Sequence, residues 1–162
     1  MDISEFLDAT LTVLKNGDVK LAKQLEGIAR EKNDPYYYSN LGFMYEPIES
    51  ASIEYENKKV IDSQIQSTAA VCSELLENLD NLQEIKSGVS SQYYYSLALK
   101  GFKELADNGD GDGDADAMSA ISDMYGYGMG IAVDPVEAKY WLDRCYLTKY
   151  GMTFDKWKKG SK

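Results

Sequence analysis

Apolar residues recur at steps of three and four along most of the chain, which is the spacing of one face of an α-helix. No stretch alternates apolar and polar residues over the length of a strand, so the pattern predicts no β-sheet. It predicts an all-α protein: a single domain over residues 1–162, formed by an irregular stack of about seven or eight helices around one long central helix.

Local signals place the helix ends. Gly17 suits the left-handed backbone at the end of a first helix over residues 3–14, and Asp18 suits the N-cap of the next. Asp34 and Pro35 begin a third helix, which Pro47 is expected to end. The predicted inward faces are Phe6, Leu7, Leu11 and Leu14; Leu21, Leu25, Ile28 and Ala29; Tyr37, Leu41, Met44 and Tyr45; and Tyr95, Ala98, Phe102, Leu105 and Ala106.

The stretch 50–87 has neither proline nor glycine before its end and carries a heptad pattern. The apolar positions are Ile61, Ile65, Thr68, Cys72, Leu75, Leu79 and Leu82. One long helix packed against its neighbours is the favoured interpretation. A coiled-coil dimer is the alternative, which Thr68 and Cys72 would weaken, and a break near Ser67 or Asn78 would give two shorter helices.

The last third of the chain carries the most specific pattern. Two helices, over about 115–125 and 135–149, flank a turn in which Gly128 and Gly130 allow a tight reversal. The regularly spaced positions are Gly113, Asp114, Ala117, Ile121, Tyr125, Gly128, Gly130, Asp134, Ala138 and Trp141. Small Ala138 beside large Trp141 predicts close packing of the second helix on the first. Thr153 is expected to cap a short last helix containing Phe154 and Trp157.

This pattern resembles the Sel-1-like repeat, a relative of the tetratricopeptide repeat, over about residues 109–151. Ile121, Ser122, Ile131 and Leu142 are mild departures from it. A partial second copy covers about 33–46, where Asp34, Leu41, Gly42 and Tyr45 keep the spacing but the glycine turn is missing. The organisation is therefore predicted as N-terminal helices (1–46), a long helical segment (50–87), the clear repeat (90–151) and a basic tail (152–162).

The net charge of −10 limits the partners. A nucleic-acid-binding protein needs a basic surface, and here only the tail is basic, through Lys156, Lys158, Lys159 and Lys162. Neither nucleic acid nor an anionic membrane is expected to bind. A basic protein partner would be attracted, although acidic charge that only confers solubility is the simpler interpretation. Two cysteines, and no hydrophobic signal region at the N-terminus, predict a cytoplasmic location.

The residues for catalysis are lacking. Without histidine there is no Ser-His or Cys-His pair, and no phosphate-binding loop motif is present. Cys72 and Cys145 are expected to be packed small residues. No catalytic residue, metal site or cofactor is therefore predicted, and the protein is expected not to be an enzyme.

The acidic stretch 108–119 resembles a calcium loop but has Ser119 where the bidentate glutamate belongs. A negatively charged projection toward a basic partner and a solvated linker are the other interpretations.

Tyrosine is unusually frequent, with 13 residues and two triplets, 36–38 and 93–95. A helix cannot bury three consecutive side chains on one face, so Tyr36 and Tyr93 are predicted to point outward. Exposed tyrosine is enriched at binding hot spots. The candidate partner-binding residues are Tyr36, Tyr93, Asp110, Asp112, Asp114 and Tyr127.

The resemblance implies a non-enzymatic protein-protein interaction module, since such repeats serve as binding scaffolds. Together with the small size and the acidic charge, it suggests a bacterial immunity or antitoxin-like protein that neutralises a basic toxin. A general adaptor or regulatory scaffold is the alternative. A calcium-responsive binding protein using residues 108–119 is a more remote one. The expected state is a monomer or a weak dimer.

Overall fold

The computed structural model describes residues 1–56, 91–107 and 114–160, and this part of the chain is all helical, without a strand. The prediction of an all-α protein with about seven or eight helices is confirmed. The helices are α1 (Ile3–Asn16), α2 (Val19–Lys32), α3 (Pro35–Glu56), α4 (Ser91–Asp107), α5 (Ala115–Tyr127), α6 (Pro135–Tyr150) and α7 (Phe154–Gly160). The heptad pattern from Ile61 to Leu82, together with Cys72, Asp110 and Asp112, lies outside the described residues.

The chain divides into two compact units, Met1–Tyr94 and Tyr95–Lys162. The expectation of a single domain stays a prediction. In the first unit α1, α2 and α3 pack on one another. Its core contains Phe6, Val13, Ala22, Leu25, Ala29, Tyr37, Leu41, Met44, Tyr45 and Ile48. The Phe6 ring meets the Tyr37 ring edge-on, with centroids 4.8 Å apart, which ties α1 to α3.

The helix caps of the first unit follow the local sequence. Asp2 and Glu5 form a capping box at the start of α1, and Gly17 ends that helix at φ 66°. The Asp18 carboxylate accepts from the backbone N–H of Leu21 at 2.9 Å, as predicted for an N-cap. Asn33 ends α2 in the left-handed region, a conformation that asparagine adopts more readily than most side chains.

The inward face of α1 differs from the prediction. Phe6 and Leu14 are buried, but Leu7 and Leu11 are exposed, and Thr10 and Val13 take their places in the core. Threonine can be buried there because its hydroxyl donates to the carbonyl of Leu7 at 2.6 Å.

The prediction that Pro47 ends the third helix is wrong. α3 continues through this proline to Glu56. Proline inside a helix costs about 3 kcal/mol because it lacks an N–H and its ring crowds the preceding turn. Full burial of Met44, Tyr45 and Ile48 around it offsets this cost, since each large apolar side chain contributes roughly 1.5–3 kcal/mol.

In the second unit α5 and α6 form an antiparallel hairpin, and α7 packs on α6. Lys149, near the end of α6, pairs with Asp116 at the start of α5 at 3.2 Å. The Ser122 hydroxyl donates to the carbonyl of Ala138 at 2.7 Å. Ala117, Ile121 and Trp141 are buried, as are Tyr95, Ala98, Leu99, Phe102, Ala106, Met118, Met124, Tyr125 and Cys145.

One inward residue of α4 was assigned wrongly. Leu105 is exposed, and Leu99 is buried instead. The buried positions Tyr95, Ala98, Leu99, Phe102 and Ala106 form a regular helical face, which Leu99 joins and Leu105 does not.

The turn of the hairpin has the predicted glycine geometry. Gly128 and Gly130 have φ of 72° and 74°, in the left-handed region that favours glycine. Gly130 also lies against the backbone of α4: an added Cβ would stand 2.4 Å from the Ser96 nitrogen. The Asp134 N–H donates to the carbonyl of Tyr125 at 3.0 Å, and its carboxylate accepts from Val136 and Glu137.

Candidate partner-binding surfaces

A tyrosine cluster connects α3 to the start of α4 within the first unit. The Tyr94 ring stacks on Tyr45 at 5.4 Å and on Tyr38 at 6.4 Å, and these three rings are buried. Tyr93 meets the edge of Tyr94 at 5.5 Å and is 52% exposed. The predicted orientation of Tyr93 is therefore observed: an exposed ring supported from behind by an aromatic stack.

A carboxylate on α2 holds this cluster in place. The Tyr45 hydroxyl donates to Glu26, which also hydrogen-bonds Tyr94 and lies 3.8 Å from the guanidinium of Arg30. Burial raises the pKa of both Tyr45 and Tyr94, and the negative charge of Glu26 raises it further. The protonated, hydrogen-donating form of both phenols is therefore retained to a higher pH than in a free tyrosine.

A second carboxylate fixes the first residue of α4. Glu49 on α3 accepts from the Ser91 backbone N–H at 2.6 Å and from the Ser91 hydroxyl at 2.8 Å. Charge-assisted hydrogen bonds of this kind are among the stronger ones in proteins. The start of α4, and with it Tyr93, is therefore positioned by a helix distant in sequence.

The outward face of α3 presents two further aromatic residues. Tyr36 lies at the start of the helix, where its N–H donates to the Asp34 carboxylate at 2.9 Å. Phe43, seven residues later and so on the same helical face, is 51% exposed. Asn40 lies between them and donates to the Tyr36 carbonyl at 3.0 Å. Phe43 was not predicted from the sequence, although its spacing of seven residues from Tyr36 indicates a shared face.

Two of the predicted candidates of the second unit, Asp114 and Tyr127, lie at the two ends of α5. Tyr127 is the last residue of α5 and is highly exposed. The Asp114 carboxylate accepts from the Ala117 N–H at 3.0 Å, so it caps α5. Asp110 and Asp112 belong to residues 108–113, so their position relative to Asp114 is not described.

The part of the calcium-like stretch that is described has other roles. Residues 115–119 are helical, Asp114 caps that helix and Asp116 pairs with Lys149. Within the described ranges, no three carboxylate or thiolate side chains are grouped so that they could hold a metal ion. Cys145 is a buried free thiol whose pKa burial raises, which disfavours the reactive thiolate.

The exposed apolar side chains of α6 were not predicted. Val136, Tyr140 and Leu147 lie on the side opposite buried Trp141 and Cys145, and they are 78%, 52% and 49% exposed. Among the described helices, none combines the length and apolar character required to cross a membrane.

The described residues form an all-α protein with exposed aromatic side chains on one unit and exposed apolar side chains along α6 of the other. No protein-family model matches the chain, and no curated protein or solved structure matches it either. The resemblance to the Sel-1-like repeat therefore depends on the residues themselves.

Proposed function

We propose that the protein is a non-enzymatic protein-binding module whose first unit binds a basic protein. The observation that carries this proposal is the set of exposed aromatic side chains on a fixed helical frame: Tyr36 and Phe43 on α3 and Tyr93 on α4. Aromatic side chains supply large contact area at low entropic cost. We call these three residues the aromatic surface; it has two parts, Tyr36 and Phe43 on the outward side of α3 and Tyr93 beside Tyr94 on α4.

The charge distribution supports a basic partner. Most of the excess of acidic residues lies in Met1–Tyr94, the unit that carries the aromatic surface. An acidic protein attracts a basic partner over distances of about one Debye length, roughly 8–10 Å at physiological salt. Together with small size, this supports an immunity or antitoxin-like role, in which the protein covers a basic toxin such as a nuclease.

The hairpin supports the proposal that residues 109–151 are a Sel-1-like repeat. Ala117, Ile121 and Tyr125 are buried along α5, and Trp141 is buried on α6. Both glycines of the turn have positive φ. A repeat of this kind is a scaffold that presents surface residues, which is consistent with a binding role.

The decisive experiment is co-expression with the product of the neighbouring gene, scored by growth and by co-purification. Protection and a stable complex are expected. If a complex forms, its association rate should fall steeply between low and high salt, because charge steers the encounter. If the neighbouring protein neither binds nor harms cells, the immunity role is wrong.

Matched variants locate the contact. Phe43→Ala and Tyr93→Ala each remove an exposed ring and should weaken binding by at least about tenfold if they are hot spots, while leaving stability nearly unchanged. Leu11→Ala, an equally exposed apolar residue of the same unit, is the control and should bind as the unmodified protein does. Equal losses from all three substitutions would contradict a localised aromatic surface.

A general adaptor is the second candidate, and the exposed apolar side chains of α6 favour it. An adaptor that binds through apolar contact should show affinity and association rates that depend little on salt. The same salt series therefore separates the two functions.

A further inference from the structure

The outer side of α6 exposes three apolar side chains that the hairpin does not use, with Asp143 and Arg144 between the second and the third. Val136, Tyr140 and Leu147 follow the helical steps of four and seven residues. We call these three residues the outer stripe. Its length, from Val136 to Leu147, corresponds to roughly 16 Å or three turns of helix. A helix that is apolar on both sides is normally covered on both sides.

Basic groups border the outer stripe on both sides. On one side Arg144 stacks on the rings of Tyr140 and Trp141, with its guanidinium carbon 5.8 Å and 4.7 Å from their centroids. It is oriented by Asp107 of α4, 3.8 Å away. A guanidinium held over aromatic rings keeps its charge close to the outer stripe.

On the other side α7 forms the border. The rings of Phe154 and Trp157 pack on Tyr146 of α6 at 5.0 Å and 5.1 Å, and the Phe154 N–H donates to Asp143 at 3.2 Å. Lys139 of α6 pairs with Asp155 of α7 at 3.4 Å. The helix thus fixed exposes three lysines, Lys156, Lys158 and Lys159. The acidic groups of this region have partners, since Asp143 accepts from Phe154 and Asp155 pairs with Lys139, whereas the three lysines of α7 are exposed.

We propose that the outer stripe binds an amphipathic helix of a partner protein, with apolar residues along one face and acidic residues beside them. Helices pack along one another by fitting side-chain ridges into grooves, and the outer stripe offers such a ridge over three turns. Arg144 and the lysines of α7 would pair with the acidic residues that flank the apolar face of the partner helix. This site lies on the second unit and selects the opposite charge from the aromatic surface, so it does not depend on the proposed function.

The test uses three synthetic helical peptides with identical apolar positions and with glutamate, glutamine or lysine at the bordering positions. Binding to the full chain is measured by fluorescence anisotropy at two salt concentrations. The glutamate peptide should bind about tenfold or more tightly than the glutamine peptide, and the lysine peptide least. Equal binding of all three, or no binding of the glutamate peptide, overturns the proposal.

Variants assign the binding to this face. Val136→Glu and Leu147→Glu should each abolish it, and the pair Lys158→Glu and Lys159→Glu should remove the preference for glutamate over glutamine. Leu11→Glu, on α1 of the other unit, is the matched control. The substituted positions are exposed, so helical content and melting temperature should be retained. Retained binding by Val136→Glu overturns the proposal.

Sedimentation of the free protein tests whether a second copy of the chain, instead of a partner helix, covers the outer stripe. The monomer should persist at the concentrations used for peptide binding. Concentration-dependent dimers that Val136→Glu dissociates would show that the outer stripe is covered by a second copy of the chain, and would also overturn the proposal.

Discussion

Replacing Gly130 by alanine tests the close approach of the hairpin turn to α4. The new Cβ would stand 2.4 Å from the Ser96 nitrogen, 2.6 Å from the Tyr95 carbonyl carbon and 2.9 Å from the Ser96 Cα. All three are backbone atoms of a helix, so none can rotate aside as a side chain would. The turn or the helix has to move.

Two costs add at this position. A left-handed φ of 74° costs an alanine about 1–2 kcal/mol relative to glycine. Displacing well-packed backbone costs about 1–3 kcal/mol more. We therefore expect Gly130→Ala to lower the free energy of unfolding of the second unit by about 2–5 kcal/mol.

Two other glycines of the same unit separate these costs. Gly151 has φ 68° with no atom within 4 Å of an added Cβ, so Gly151→Ala should cost only about 1–2 kcal/mol. Gly126 lies in the last turn of α5, is also open, and has no positive φ. Gly126→Ala should therefore stabilise by about 0.5–1 kcal/mol, the usual gain from alanine over glycine in a helix.

Urea unfolding followed by tryptophan fluorescence is the appropriate assay. The only tryptophans, Trp141 and Trp157, both lie in Tyr95–Lys162, so the signal reports the unit that contains all three glycines. The expected order of stability is Gly126→Ala, unmodified, Gly151→Ala and Gly130→Ala. Equal stability of the Gly130 and Gly151 variants would refute the close approach of the turn to α4.

Three further predictions concern single side chains. Trp141→Ala should lower the free energy of unfolding by about 3–5 kcal/mol in urea denaturation followed by circular dichroism, because a buried aromatic ring is lost whose Nε1 makes no hydrogen bond within the described residues. An unchanged midpoint would contradict its burial. Asp134→Ala should cost about 0.5–2 kcal/mol in the same assay by removing the cap of α6; no loss would show that the cap contributes nothing. For Tyr45, burial and Glu26 raise the pKa in the folded state, so stability should fall as the pH rises above the ordinary value of about 10. Tyr45→Phe should make thermal stability between pH 9 and about 11.5 fall less steeply, and an unchanged slope would exclude this linkage.

The ends of the helices could be predicted because the signals that set them are local. Gly17 and Asp18 act within three or four residues of their own position, and each has the predicted role. The choice of buried face was less predictable. Leu7 and Leu11 are more apolar than Thr10, yet the direction from which α3 packs on α1 decides which of them is covered.

Pro47 shows the same limit on prediction from local sequence. Its local effect opposes a helix, whereas the buried stripe that continues from Met44 to Ile48 favours one. The outcome depends on which neighbours cover the stripe, and the sequence of α3 alone does not contain that information.

The candidate surfaces were predicted in part. Helical spacing was enough to assign Tyr93 outward and Tyr94 inward. The support behind Tyr93 comes from Glu26 and Glu49, which lie on α2 and α3, and no local pattern links residues so distant in sequence. The outer stripe of α6 was missed because a helix with apolar residues on two sides shows no single preferred face.

In the connection between α5 and α6, Asp134 forms hydrogen bonds to both helices. The N–H, carboxylate and carbonyl of Asp134 bond to Tyr125, to the first turn of α6 and to Ala138. Gly128 and Gly130 supply the positive φ that the reversal requires. Residues 128–134 are therefore a transplantable connector: they should join other pairs of antiparallel helices in designed bundles, provided that a backbone can pass close to the second glycine.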